Sequence, residues 1–154
     1  MELKSTLKVF NAADVPSAPG IAKGQTTKRL AGNAEHPSER LGAILATFQP
    51  GSLEHLHWHL TESFHYIISG RGILRDIEGN SIEVGPGSVV YAPPGLMGSH
   101  EWEVIEQLQM ISVKATTEPM KIIQFTVDKT TKESKADLDY LIKRGAADLK
   151  KSLY

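Results

Sequence analysis

From Arg40 onward the chain is cut into short apolar segments by turn-forming residues, and this rhythm constrains the fold more than any other feature. "LGAILATF", "FHYIISG", "RGILRDI", "SIEV", "SVVYA", "VIEQLQMISV" and "KIIQFTV" alternate with "PGS", "EGN", "GPG" and "PPGLMG". Segments of this length, rich in β-branched and aromatic residues and bounded by glycine and proline, make strands. Many of them at close spacing argue for an antiparallel barrel or sandwich. "EGN" lies between two such segments, where a hairpin turn is needed. Residues 1–38 are patterned differently. "LKVF" can form a short edge strand, while "NAADVPSAPG" and "KGQTTKRLAGNAEHPSE" are rich in turn formers. Near the other end Leu138, Leu141, Ile142 and Leu149 fall at helical spacing, with Ser134 placed as an N-cap and Gly145 weakening the middle. The expected layout is one all-β domain: an N-terminal arm and loops over 1–38, a barrel over 39–128, and a C-terminal α-helix over 133–153.

The chain has 154 residues, enough for one domain with a substantial core and too few for a second catalytic domain. A formal charge of −1 shows no basic excess, so neither nucleic acid nor an anionic membrane is an expected partner. No run approaches the roughly 18 apolar residues of a membrane span, and "MELKSTLKVF" lacks an apolar signal core, so a cytoplasmic location is expected. There is no cysteine. Disulfides, thiolate metal ligands and a cysteine nucleophile are thereby excluded, and any metal site must use imidazole and carboxylate.

Four of the six histidines, His55, His57, His59 and His65, fall within one stretch, "HLHWHLTESFH". On a strand, His55, His57 and His59 share one face and Leu56, Trp58 and Leu60 the other. If the next strand runs from Glu62 to Ile68, Ser63, His65 and Ile67 lie together, opposite Phe64, Tyr66 and Ile68. Packing several neutral imidazoles together leaves ring nitrogens to satisfy, and a divalent cation satisfies several at once. His36, in the polar "AEHPSE", reads as a solvated loop residue.

The sequence here resembles the cupins. Gly51, five residues, then His57, Trp58 and His59 match the first half of the first cupin motif, and Gly70 matches its end. Gly87, "SVVYA", Pro93, Pro94 and Gly95 match the second motif. The matches cover residues 50–100, about a third of the chain. The resemblance implies a single cupin barrel (a jelly-roll, or double-stranded β-helix) with a metal inside, often as a homodimer. Two departures stand out. The family's glutamate ligand falls on Ser63, one residue after Glu62, and the slip sends Glu62 to the other face of a regular strand. The family's last histidine falls on Gly98, while His100 lies two residues on; the even offset keeps its parity, and a bulge in "GLMGSH" would still present it inward.

The metal ligands the resemblance implies are therefore His57, His59 and His100, with His65 as fourth ligand and Glu62 as its competitor. His55 is expected on the same face, one layer further out, and Ser63 is expected to hold a metal-bound water. Tyr66, Tyr91, Met97 and Trp102 are candidate cavity residues, although for each of them a place in the core is the simpler reading. The cofactor is a divalent transition metal, Zn, Fe, Ni, Mn or Cu, since imidazole suits all of these. The expected activity is that of a metal-dependent enzyme acting on a small oxygenated organic substrate, with Glu62 or His65 moving a proton. Dioxygenase chemistry leads, with Lewis-acid lyase, isomerase or cyclase chemistry close behind. A non-catalytic module binding a metal or metabolite is the alternative outside enzymology.

Overall fold

A computed structural model of the protein describes residues 2–118 and 121–138. Among them are ten strands: β1 Ala18–Pro19, β2 Gln25–Ala31, β3 Gly42–Phe48, β4 Leu53–His59, β5 Ser63–Asp76, β6 Ser81–Val84, β7 Val89–Ala92, β8 His100–Lys114, β9 Gln124–Val127 and β10 Ser134–Ala136. All pairings are antiparallel. The all-β expectation holds, and the strands wrap into a barrel. No helix among the described residues is long and apolar enough to cross a membrane.

Two long strands make the barrel. The early residues of β5, Ser63–Tyr66, pair with β7, and its late residues, Gly72–Arg75, pair with β6. On β8, Leu108–Lys114 pair with β3, and the first residues, His100 to Glu103, pair with β4. β5 and β8 also run beside each other from Ser63↔Lys114 to Asp76↔His100. Both strands thus leave one layer and enter the other, and the sheet folds over on itself. The register shifts three times between Ile67 and Gly72, which is the bend. Gly70 sits there at φ 87°, and a Cβ on it would come within 1.9 Å of the Gln107 carbonyl oxygen. Only glycine fits so close a backbone approach in that conformation.

"FHYIISG" and "RGILRDI" are therefore one strand and not two, because the bend at Gly70 imitates a turn in the sequence. The hairpin at "EGN" is present: the Asp76 carboxylate accepts from the Glu78 and Asn80 amides, and Gly79 takes φ 89°. These bonds hold the Asp76 carboxyl below the usual carboxylate range, the Asn80 side chain contributing most.

Strand alternation separates inside from outside. On β5, Ser63, His65 and Ile67 are buried while Phe64, Tyr66 and Ile68 are exposed. Between the layers Phe48, Ala46, Ile67, Leu74, Val84, Trp102, Val104, Leu108 and Met110 form the core. Each large side chain there contributes about 1.5–3 kcal/mol by burial. Glu101 is fully buried, paired with Arg75 at 3.2 Å and Lys129 at 2.6 Å, which offsets the cost of removing its charge from water.

Two expectations at the ends change. "LKVF" joins no strand; its Phe10 stacks on His36 with ring centroids 4.0 Å apart, so His36 is not simply a solvated residue. Ser134, expected to cap a helix, lies in β10 opposite Val127, and its hydroxyl accepts from the Trp58 indole at 2.8 Å. Helical spacing begins only at Leu138, and the remainder of the expected 133–153 helix lies outside the described residues.

Candidate metal centre

His57, His59, His65 and His100 come together inside the barrel, each no more than 5% exposed. β4 supplies His57 and His59, the start of β8 supplies His100 directly opposite His57, and β5 supplies His65 from the other layer. Ring centroids are 4.4 Å apart for His57 and His100, 5.2 Å for His57 and His59, and 5.6 Å for His65 and His100. The offset of His100 from its motif position is absorbed by a 3-10 turn, Leu96–Gly98, entered through Gly95 at φ 91°. Gly98 packs so tightly that a Cβ would lie 1.9 Å from the Pro93 carbonyl oxygen.

Hydrogen bonds settle the state of three rings. His57 Nδ1 is 2.6 Å from the His55 carbonyl oxygen, His59 Nδ1 is 3.0 Å from that of Ile123, and His100 Nδ1 is 2.9 Å from that of Gly98. A carbonyl oxygen only accepts, so each Nδ1 carries the proton and, in a neutral ring, Nε2 is left as a lone pair. The rings are neutral. Burial pushes His57 down to about 4 and His100 down to about 3, and it holds His59 and His65 well below the usual histidine value. His65 is the exception in bonding: among the described residues neither of its ring nitrogens has a partner.

The carboxylate in this cavity is Glu54. Regular alternation along β4 predicts His55 on the ligand face, but β4 carries one extra residue between Glu54 and His57 relative to β8, which inverts the parity. His55 is consequently exposed, in a surface cleft with Lys23 and Gln49. Glu54 takes its place inside, with its Oε1 3.6 Å from His57 Nε2. Only the bulge marks it, and no turn residue in "SLEHLHWH" signals one. Glu62, by contrast, is exposed and accepts from the Tyr91 hydroxyl at 2.7 Å on the outer surface. It does not enter the cavity, because it ends the turn before β5 and faces opposite to Ser63. Ser63 is buried without lining the cavity. Trp102 lines it beside His65 and His100, whereas Tyr66, Tyr91 and Met97 lie exposed outside.

The cavity holds about 40 Å³ and is completed by Gln25, Ile44, Met110, Ser112, Lys114 and Gln124. Three imidazoles with Nδ1 tied to carbonyls and Nε2 left as an acceptor, beside a fourth with no partner, are the donors that a borderline divalent cation takes. The donor chemistry fits such an ion. As the side chains stand, no three His, Asp or Glu groups among the described residues are drawn closely enough to hold one.

The family model described as "Cupin domain" matches residues 44–114, the span from β3 to the end of β8. The barrel has the cupin fold. Its long strands β5 and β8 carry His65 and His100, and β4 carries the H-x-H pair. No curated protein matches the sequence. Among solved structures, the polyketide cyclase RemF from Streptomyces resistomycificus is similar at 25% identity with a TM-score of 0.62, over 73% of this chain and 81% of that one. A deletion mutant of Bacillus subtilis oxalate decarboxylase is similar in fold, at 24% identity and a TM-score of 0.58 over 75% of this chain. The match spans only 32% of the decarboxylase chain.

Proposed function

We propose that this cupin is a metal-dependent enzyme acting on a small oxygenated organic substrate, with His57, His59, His65 and His100 as ligands to a divalent transition metal. The observation that carries this reading is the bonding of the rings: three Nδ1 protons are committed to carbonyls, and His65 is buried with no partner among the described residues. Glu62, on the outer surface, drops out as ligand and as proton carrier. Glu54 Oε1 becomes the carboxylate oxygen placed to accept a proton from a substrate group at the cavity. Bound to neutral imidazoles, the ion would supply Lewis acidity, polarising a carbonyl or enolate oxygen.

Lewis-acid lyase, isomerase or cyclase chemistry is the favoured reaction class, since four neutral rings cancel none of the ion's charge and the nearby Glu54 carboxylate offsets only part of it; the likeness to a polyketide cyclase supports it. The chain's own residues hold and exclude. Trp102 and Met110 close the apolar side against water, and the Ile123 and Gly98 carbonyls fix the ring orientations of His59 and His100. The outer faces of β5 and β7, with Phe64, Tyr66, Val89 and Tyr91 exposed, support a homodimer.

Elemental analysis of purified and reconstituted protein tests the site. About one Zn, Fe, Ni, Mn or Cu per chain is expected, falling to near zero in His57→Ala and His100→Ala, while full turnover by metal-stripped protein would sink the metal-dependent reading. A metal-loaded protein without turnover on any oxygenated substrate would point to a binding module. A substrate consumed only in the presence of oxygen would restore dioxygenase chemistry.

A further inference from the structure

The interior of this barrel grades from apolar to basic. Inward positions along β8 read Leu108, Met110, Ser112 and Lys114, from the core to the mouth. A second cavity of about 40 Å³, lined by Arg29, Thr116 and Thr117 among others, shares Ile44, Ser112 and Lys114 with the histidine cavity. Among the described residues lining the two, the charged ones are Arg29, Lys114 and Glu54. Lys114 lines the same cavity as the four histidine rings and also the second cavity. A second, independent feature points to a ligand. Gln124 is 97% buried and lines the histidine cavity, yet its Oε1 has no hydrogen-bond partner among the described residues. Buried amide oxygens are normally satisfied, so this one waits for a donor.

We propose that the paired cavities form an anion subsite: the substrate is a small organic anion whose carboxylate or enolate oxygen is held by the Lys114 ammonium, with Arg29 at the mouth drawing it in and Gln124 accepting from a hydroxyl or N–H of the same molecule. The inference rests on the four-histidine reading for the place where chemistry occurs, and adds the substrate's charge. A cation-lined path between low-dielectric walls focuses anions toward its end. An ammonium facing a buried anionic oxygen makes a charge-assisted bond that a neutral analogue cannot replace. The small volume divides the molecule: the histidine cavity has room for an ion and the reacting group, and the remainder of the substrate lies beside Ser112, Thr116 and Thr117.

Calorimetric titration of the full chain with malonate and with neutral malonamide tests this, with metal content measured on the same samples. Malonate should bind more tightly than malonamide. Lys114→Met should weaken malonate binding by about tenfold or more and leave malonamide within about twofold, while Lys114→Arg should restore most of the difference. Arg29→Met, remote from the histidines, should slow malonate association and reduce its salt dependence. A wild-type chain that does not bind malonate, or a Lys114→Met chain that treats both probes as wild type does, overturns the subsite. Metal-free protein that still selects malonate through Lys114 upholds it and sinks the metal reading; metal-loaded protein without that selectivity does the reverse.

Discussion

Glu54 and Glu62 are separated by eight positions and by the whole thickness of a strand layer. Glu54 stands 3.6 Å from a candidate ligand nitrogen, and Glu62 bonds a tyrosine on the outer surface. Substitution should separate them. Glu54→Gln should weaken metal affinity about tenfold by removing charge beside His57, whereas Glu62→Gln should leave affinity within about twofold and stability within about 0.5 kcal/mol. Chelator competition on both variants measures this, and equal losses would mean that the two carboxylates have been assigned to the wrong faces. The inward face of His57, His59 and His65 is legible from parity and motif register. The exclusion of His55 is not, because a single inserted residue at the bulge inverts parity without leaving a compositional mark.

The decisive elements are β5 and β8, 14 and 15 residues long, each shared by both layers. Their bend depends on Gly70, where a side chain would meet the Gln107 carbonyl in a backbone conformation that favours glycine. Gly70→Ala should therefore cost roughly 3 kcal/mol or more, by strain and overlap together. Urea unfolding at neutral pH gives the value; a loss below about 1 kcal/mol would show that the bend does not need glycine. Gly70 is legible as a motif residue, but its role at a bend within one strand is not. A glycine between two apolar runs looks the same whether the chain turns back or continues. β10 escapes the sequence pattern for a related reason: "SKA" has neither strand nor helix periodicity, and its pairing with β9 and the Trp58 bond to Ser134 come from tertiary neighbours.

Across the whole molecule, the buried histidines make the metal-free protein sensitive to mild acid. Their unfolded value is 6.5, whereas folded His57 titrates at about 4 and His100 at about 3. Between those values the unfolded chain binds more protons, so stability is full above pH 6.5 and falls as pH drops toward the folded values. The slope is about 1.4 kcal/mol per pH unit for each histidine kept neutral. Set against a typical total of about 5–15 kcal/mol, this should produce a steep fall in the urea midpoint of the metal-free protein between pH 6.5 and 5, with no change from pH 7 to 8.5. A flat profile through the acid window would show that the rings are solvated in solution.

Strand content, the single barrel and the inward placement of His57 and His59 were determined by the sequence itself, since alternation and motif spacing are local properties that survive any packing. The tertiary structure alone decided which carboxylate enters the cavity, that His65 joins from the opposite layer, and that Lys114 lines both this cavity and the neighbouring one that holds Arg29. Each of those depends on a bulge, a bend or a contact between residues distant in the chain, and such pairings are set by the energy of the whole packed interior.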